Sequence, residues 1–327
     1  MAASPALASV APPGRHEKSA VGVVFNPRSH RNQGLEAAIA ALPGVSVETP
    51  ERRSDLRPAL ERFAAQGVEC IAISGGDGTV RDVLTAGLPL FRDRWPALAV
   101  LPAGKTNALN VDLGAPKHWT IEGVLTAFAE GRRAVRRPLV VRDLDGGGEL
   151  AGFVLGAGIF TTAIAAGQDA HRLGAFDSMA VGATALWGVA QALFGNDRNR
   201  WRKGSPMTIR TGAERHELPR SAWGDPSRRT LALAATLERF PLGLRPFGDL
   251  EGMKLAVLDY PRRRVMAIIP AVAAGWWTDW LAQSGVHRCA TDRIELDLGD
   301  RFILDGEAFP AGRYEIVPGP ELSFVVP

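Results

Sequence analysis

Four short apolar runs open the chain, at residues 21–25, 45–47, 70–73 and 97–101, with helix-like stretches such as 56–65 between them. Strands that alternate with helices predict βαβ units and a parallel sheet. Each run ends in turn chemistry: Asn26-Pro27, Thr49-Pro50, Gly75-Gly76 and Pro102-Ala103-Gly104. The four tips then belong at the carboxyl edge of one sheet, where open α/β folds bind ligands. Past residue 137 the texture changes to short β-like runs at 139–141, 153–155, 208–210, 231–235, 255–258, 293–298, 301–304 and 314–317, separated by Gly, Pro and Asp. This half reads as a β-sandwich with one helical insertion near 176–194. The Asp143 to Gly148 stretch reads as a hairpin tip.

The expected fold class is α/β plus all-β, with two cores in 327 residues. A nucleotide-binding domain is expected over 20–137 and a β-sandwich over 138–312. Residues 1–19, rich in Ala, Pro and Ser, read as a disordered leader. The uncharged stretch 178–196 is interrupted by Gly182, Thr184, Gly188 and Gln191, and 265–277 contains Pro270, so no membrane-spanning helix is expected. With 38 basic and 35 acidic residues the net charge is +3, too small to imply nucleic acid as a partner. Arginine is clustered at 132, 133, 136 and 137, at 198, 200 and 202 beside Lys203, and at 262–264. Such clusters are solvated faces or contacts for an anionic membrane surface. Cys70 and Cys289 lie far apart without C-x-x-C spacing, which suggests a reducing compartment.

The chemistry concentrates at Ser74-Gly75-Gly76-Asp77-Gly78-Thr79, a strand-to-helix turn with three glycines and one carboxylate. Glycine lets a ligand approach the backbone, and successive N–H groups at a helix start cradle anions. An Asp among those donors would repel phosphate unless a cation or a transferable proton is present, so the turn reads as a Mg²⁺-nucleotide site. A competing signal is Ala99 to Thr106, which satisfies a loose P-loop pattern with Lys105 as its lysine. Here Ala99 falls inside the expected strand and Pro102 removes a donor. Gly104-Lys105-Thr106-Asn107 still makes a second glycine-bearing tip, where Lys105 could meet a phosphate and the Asn107 amide could bridge two loops.

Taken in order, Asn26-Pro27-Arg28-Ser29, Gly75-Gly76-Asp77-Gly78-Thr79, Pro102-Ala103-Gly104-x-x-Asn107 and Asp305-Gly306-Glu307 resemble the diacylglycerol kinase catalytic-domain family of lipid kinases, which includes sphingosine and ceramide kinases. The resemblance implies an N-terminal domain like that of NAD kinases and phosphofructokinases, a C-terminal β-sandwich that takes the lipid substrate, and an active site in the cleft between them. It also implies a last strand that returns to the first domain, expected within 313–327. By the same resemblance Asn26, Thr49, Gly75, Gly76, Asp77, Gly78 and Thr79 line the ATP site, with Gly104, Lys105 and Asn107 beside them. Asp305 is implied as general base and Glu307 as a magnesium or outer carboxylate. Asp77 is implied as metal-linked, although the roles of the two aspartates could be reversed. Read locally, Asp305-Gly306-Glu307 is equally a plain hairpin turn.

Departures from the family pattern are Lys105 where Thr is common, Ala108 where Asp is common, Asp82 in place of Glu, and Glu251-Gly252 in place of the Asp-Gly of a structural magnesium loop. That last site is therefore not expected. The apolar stretch 176–194 could line an acyl chain, and Trp276, Trp277 and Trp280 could sit at a headgroup boundary. Ordinary core packing explains both equally well. The resulting expectation is an ATP- and Mg²⁺-dependent kinase of a membrane lipid hydroxyl (diacylglycerol, ceramide or a sphingoid base), cytoplasmic and peripheral to the inner face of the membrane, its oligomeric state open. The alternatives are a kinase of a soluble alcohol or NAD, and a catalytically silent lipid-binding regulatory protein.

Overall fold

The computed structural model describes residues 20–29, 31–32, 36–104, 106–161 and 200–327. The leader, Lys105 and the 176–194 insertion lie outside the described residues. In the first layer, strands β1 (Val21–Phe25), β2 (Val45–Glu48), β3 (Cys70–Gly75) and β4 (Ala97–Pro102) alternate with helices α1 (Glu36–Ala40), α2 (Leu56–Gln66) and α3 (Asp77–Phe91). Helices α4 (Ala108–Asp112) and α5 (Ile121–Ala129) follow, and β5 (Arg133–Arg136) closes the layer. Strands β1, β3 and β4 are buried along almost their whole length. That is the signature of a parallel sheet covered on both faces.

The remaining strands are β6 (Leu139–Asp143), β7 (Glu149–Gly152), β8 (Val154–Gly158), β9 (Ser205–Thr211), β10 (His216–Glu217), β11 (Arg228–Arg229), β12 (Leu231–Ala235), β13 (Lys254–Leu258), β14 (Val286–Ala290), β15 (Ile294–Leu298), β16 (Phe302–Leu304), β17 (Glu307–Phe309), β18 (Gly312–Pro318) and β19 (Leu322–Val325). All but β19 form two antiparallel sheets, ordered β10-β9-β15-β18-β6-β7, with β11 also paired to β9, and β14-β13-β12-β8-β16-β17. Alternate residues of both sheets fill one core, with Leu139, Ile209, Leu296 and Ile316 from one facing Leu155, Ala232, Leu255 and Phe302 from the other. The Asp143 to Gly148 stretch is the β6–β7 hairpin tip, closed by the Asp143 N–H on the Gly148 carbonyl.

The first sheet runs β2-β1-β3-β4-β19-β5. The chain moves outward from β1 to β2 and then back across to β3, so the topological switch point falls between the carboxyl ends of β1 and β3. Open sheets bind ligands at such points because the diverging connections leave a crevice there. The expected return of the chain begins later than residue 313. Gly312–Pro318 is paired with β15 and β6 inside the sandwich, and only β19 crosses back, parallel to β4 and antiparallel to β5. The two domains share apolar packing, since Ala151, Phe153 and Leu237 of the sandwich side belong to the same buried cluster as Leu84, Leu98 and Phe324.

Among the described residues, no helix is long and apolar enough to cross a membrane. The first arginine cluster is largely occupied within the protein. Arg136 pairs with Asp112 and Glu238, Arg137 with Glu321 and Arg132 with Glu130, while Arg133 lies over the Phe128 ring. Arg263 and Arg264 are exposed. Trp277 packs against the Arg288 guanidinium at 4.0 Å, while Trp276 and Trp280 are exposed.

Candidate active site

Strand β3 ends at Gly75, and α3 begins two residues later with Gly76 as its N-cap. Strand β4 ends alongside, with Gly75 opposite Pro102. The two tips touch. A Cβ built on Gly104 would lie 2.5 Å from the Gly76 Cα, and one built on Gly76 would lie 3.0 Å from the Gly104 Cα. Only glycine permits this approach, which leaves bare backbone at the helix start. Gly75 is needed for a different reason, because its Cβ would strike the Thr79 side chain at 2.5 Å. Gly78 is less confined, its nearest neighbour being the Arg81 guanidinium at 3.8 Å.

Asn107 holds the second tip. It adopts a left-handed conformation (φ 50°) and its amide closes a ring, accepting from the Gly104 N–H at 2.9 Å and donating to the Gly104 carbonyl at 2.7 Å. Asn tolerates that conformation because its short polar side chain bonds locally. The P-loop alternative fails geometrically: Ala99 is inside β4, paired with Ala72, so no loop surrounds a phosphate from that position.

Asn26 donates to the Thr79 hydroxyl at 2.8 Å, tying the β1 tip to α3. Thr49 stands just past the edge strand β2 and donates to Glu36 at 2.7 Å, and no described contact joins it to the glycine tips. Asn32, outside every sequence motif, is buried and donates to the carbonyls of Asn26 and Ser74 while accepting from the Ser74 hydroxyl. Its value lies in pinning two carbonyls of the switch point, a role without a local pattern.

Asp77 opens α3, and its carboxylate accepts from the Leu109 N–H at 3.4 Å. Burial drives its proton affinity up against the opposing pull of the Ala108, Leu109 and Asn107 N–H groups. Asp305 comes from the other domain. It accepts from the Phe153 N–H at 3.1 and 3.0 Å and from the Val154 N–H at 2.9 Å. Burial first, then the Asp77 charge, push its pKa up to about 7, against the Val154 and Phe153 N–H groups and Arg81. The two carboxyl groups, from opposite domains, are thus electrostatic neighbours. Asp305 can hold or release a proton near neutral pH, the condition a general acid or base requires, and burial raises the proton affinity of Asp77 as well.

The Asp305 turn is also a hairpin. Leu304 pairs with Glu307, and Asp305 (φ 44°) and Gly306 (φ 83°) both have positive φ, as the two central residues of a type I′ turn do. The hairpin reading and the site reading of this tripeptide therefore hold together. Glu307, implied as a metal or outer carboxylate, is held by two arginines. Its carboxylate pairs with Arg81 at 2.5 Å and with Arg53. Burial pushes its proton affinity up, but the Arg53 bond and the Arg81 and Arg53 charges outweigh it and hold the pKa low. Both guanidinium groups meet the same oxygen, Oε2, so the pairing neutralises the carboxylate while leaving Oε1 outside these two ion pairs. Among the described residues, no three His, Cys, Asp or Glu side chains group as metal ligands. Two aspartates beside bare backbone suit an ion that brings its own oxygens on a nucleotide, as Mg²⁺ commonly does.

Helix α3 carries the signal that motif reading passed over. Asp77, Arg81 and Thr85 recur every fourth position along the helix, so they share one face. Asp77 reaches Asp305 electrostatically, Arg81 donates to the Leu304 carbonyl at 3.2 Å, and the Thr85 hydroxyl accepts from the Ala151 N–H at 3.0 Å. A polar stripe on the helix that follows the glycine turn marks the interface with the second domain.

Residues 20–136 match the model of the diacylglycerol kinase catalytic domain. The chain is 30% identical over 99 residues to the probable lipid kinase YegS of Salmonella arizonae, and 34% identical over 100 residues to that of Salmonella newport. Each match covers 29% of this chain and 33% of the relative, so it spans about a third of those proteins. Over the whole fold, the chain resembles the crystal structure of a diacylglycerol kinase from Bacillus anthracis (TM-score 0.62, 14% identity, 94% of this chain and 97% of that one). A second structure from the same organism gives a TM-score of 0.65 at 15% identity with the same coverage. At that identity the likeness establishes the two-domain fold, and the resemblance to the lipid kinase family rests on the N-terminal match.

Proposed function

We propose that this chain is an ATP- and Mg²⁺-dependent lipid kinase that transfers the γ-phosphoryl group to a hydroxyl of diacylglycerol, ceramide or a sphingoid base at the cytoplasmic face of a membrane. The observation that carries the reading is the meeting of Asp77 and Asp305, from separate domains, beside the Gly76–Gly104 contact. Bare N–H groups at the start of α3 bind nucleotide phosphates. Asn26, Thr79 and Asn107 keep the surrounding tips in register.

Asp305 takes the proton of the lipid hydroxyl as its oxygen bonds to Pγ, while the bond from Pγ to the β–γ bridging oxygen breaks and ADP departs with those electrons. General-base help of this kind is worth about 10²- to 10⁴-fold. Asp77 is the residue that would hold Mg²⁺ on the phosphates, and the bound ion would offset charge on the transferring group. Exposed Trp276 and Trp280 support a peripheral membrane contact. The domain match and the YegS similarity support phosphoryl transfer to a lipid.

The test is transfer from labelled ATP with Mg²⁺ to mixed micelles of diacylglycerol, monoacylglycerol, ceramide or sphingosine, beside Asp77→Ala and Asp305→Asn. One labelled lipid, lost in both variants, is expected. Label only on soluble alcohols or NAD, or on nothing while ATP still binds, would overturn the lipid-kinase reading.

A further inference from the structure

We infer that Arg81 is a positioning residue for the Asp305 turn, and that Glu307 acts through Arg81 to lock the sandwich hairpin onto the nucleotide domain. The inference rests on the reading of Asp305 as the proton acceptor. Arg81 is 3% exposed at its side chain, an unusual location for a guanidinium, and it spends its donors on a specific set of partners. Two nitrogens meet the Asp82 carboxylate at 3.1 and 2.7 Å, one meets the Leu304 carbonyl at 3.2 Å, and one meets Glu307 at 2.5 Å. Its planar head lies 5.6 Å from the Phe309 ring.

Leu304 and Glu307 are the paired residues that flank the two-residue turn carrying Asp305. One rigid guanidinium from α3 therefore holds both sides of the turn, while the Phe153 and Val154 N–H groups hold the carboxylate from β8. Arg53 completes the arrangement by bridging Asp82 at 3.0 Å and Glu307. Two arginines and two carboxylates balance around Arg81, the one buried member, whose charge requires partners. The fork geometry matters because a lysine ammonium cannot reach a carbonyl and two carboxylates in fixed directions at once. Because Arg81 sits one turn along α3 from Asp77, any shift of the hairpin changes the Asp77–Asp305 relationship directly.

The test compares Arg81→Lys, Arg81→Met and Glu307→Gln with wild type, reading kcat, KM for ATP, the pH profile of kcat/KM, and the Mg²⁺ dependence. Misplacement near 1 Å costs on the order of 10²-fold in rate. Arg81→Met is expected to lower kcat by about tenfold to a hundredfold with KM for ATP nearly unchanged, and to move the pH midpoint upward because the cation opposing Asp305 protonation is gone. Arg81→Lys is expected to lower kcat while restoring the midpoint. Should Arg81→Met fail to fold, Glu307→Gln, which keeps a hydrogen-bonding amide, carries the test: a lowered kcat at unchanged Mg²⁺ requirement supports the lock. Wild-type turnover and pH midpoint in the Arg81 variants overturn the proposal, as does a several-fold higher Mg²⁺ requirement in Glu307→Gln. Full activity of Asp305→Asn would instead remove the base reading beneath it.

Discussion

Replacing Asp305 by Asn removes a carboxyl whose pKa burial and the Asp77 charge raise from an ordinary 3.8 to about 7. Between roughly pH 4 and pH 7 the native state binds a proton that the unfolded chain has already lost. Stability accordingly falls as pH rises through that window and is lowest above it. At 1.36 kcal/mol per unit, the rise holds about 4 kcal/mol against the fold at pH 8, but only about 2 kcal/mol at pH 5. The Asn amide oxygen still accepts from the Phe153 and Val154 N–H groups. Those bonds are already part of the net shift, so Asn, neutral like the protonated acid, escapes the whole cost. The variant should therefore be more stable than wild type by about 4 kcal/mol at pH 8 and by about 2 kcal/mol at pH 5. At about 2–4 °C per kcal/mol, that is roughly 8–16 °C in Tm at pH 8. Thermal melts at the two pH values, with phosphoryl transfer assayed on the same samples, check both halves: a stabler protein without activity. An Asp305→Asn protein that melts below wild type at pH 8, or shifts equally at both pH values, would refute the reasoning.

Gly104→Ala should abolish the rise in Tm given by ATP, because its Cβ would sit 2.5 Å from the Gly76 Cα and force the tips apart. The nucleotide-free protein should lose about 1–3 kcal/mol from the overpacking. In wild type, kcat/KM should climb with pH to a plateau with its midpoint near 7, since Asp305 must be ionised to accept a proton and its pKa is about 7. A profile flat from pH 5.5 to 8 would exclude it as the base. Asp112→Ala should lower the urea midpoint by the equivalent of about 3–5 kcal/mol. Its carboxyl group is wholly buried and serves Arg136 at 2.6 Å and the Glu238 and Arg239 N–H groups at 2.8 and 2.7 Å, so its loss leaves Arg136 with the exposed Glu238 carboxylate alone and strands two donors.

Local signals carried much of the architecture. Runs of apolar residues marked β1, β3 and β4 because strands buried on both faces cannot alternate with polar residues, and Gly75-Gly76 and Gly104 marked the tips because no other residue fits a 2.5 Å approach. The Asp305-Gly306 pair was legible as a turn for the same local reason, positive φ at both positions. Arg81 and Asn32 were not legible as site residues. Each acts on carbonyl groups that are distant in sequence, Leu304 in one case and Ser74 in the other, and no spacing rule records such a partner.

The sequence by itself determined the α/β and β halves, the glycine tips and Asp77 as candidate chemistry, since these depend on periodicity, backbone freedom and residue type, whereas Asp305 entered through the resemblance of the ordered motifs to a known family. Only the tertiary structure decided the strand order that puts the switch point between β1 and β3, the point at which the chain returns as β19, and the capture of Glu307 by two arginines. It alone raised the Asp305 pKa, because burial and the Asp77 charge act through space between residues far apart in the chain. Proton affinity and ion pairing are properties of surroundings, and those surroundings come into being when the two domains meet along α3.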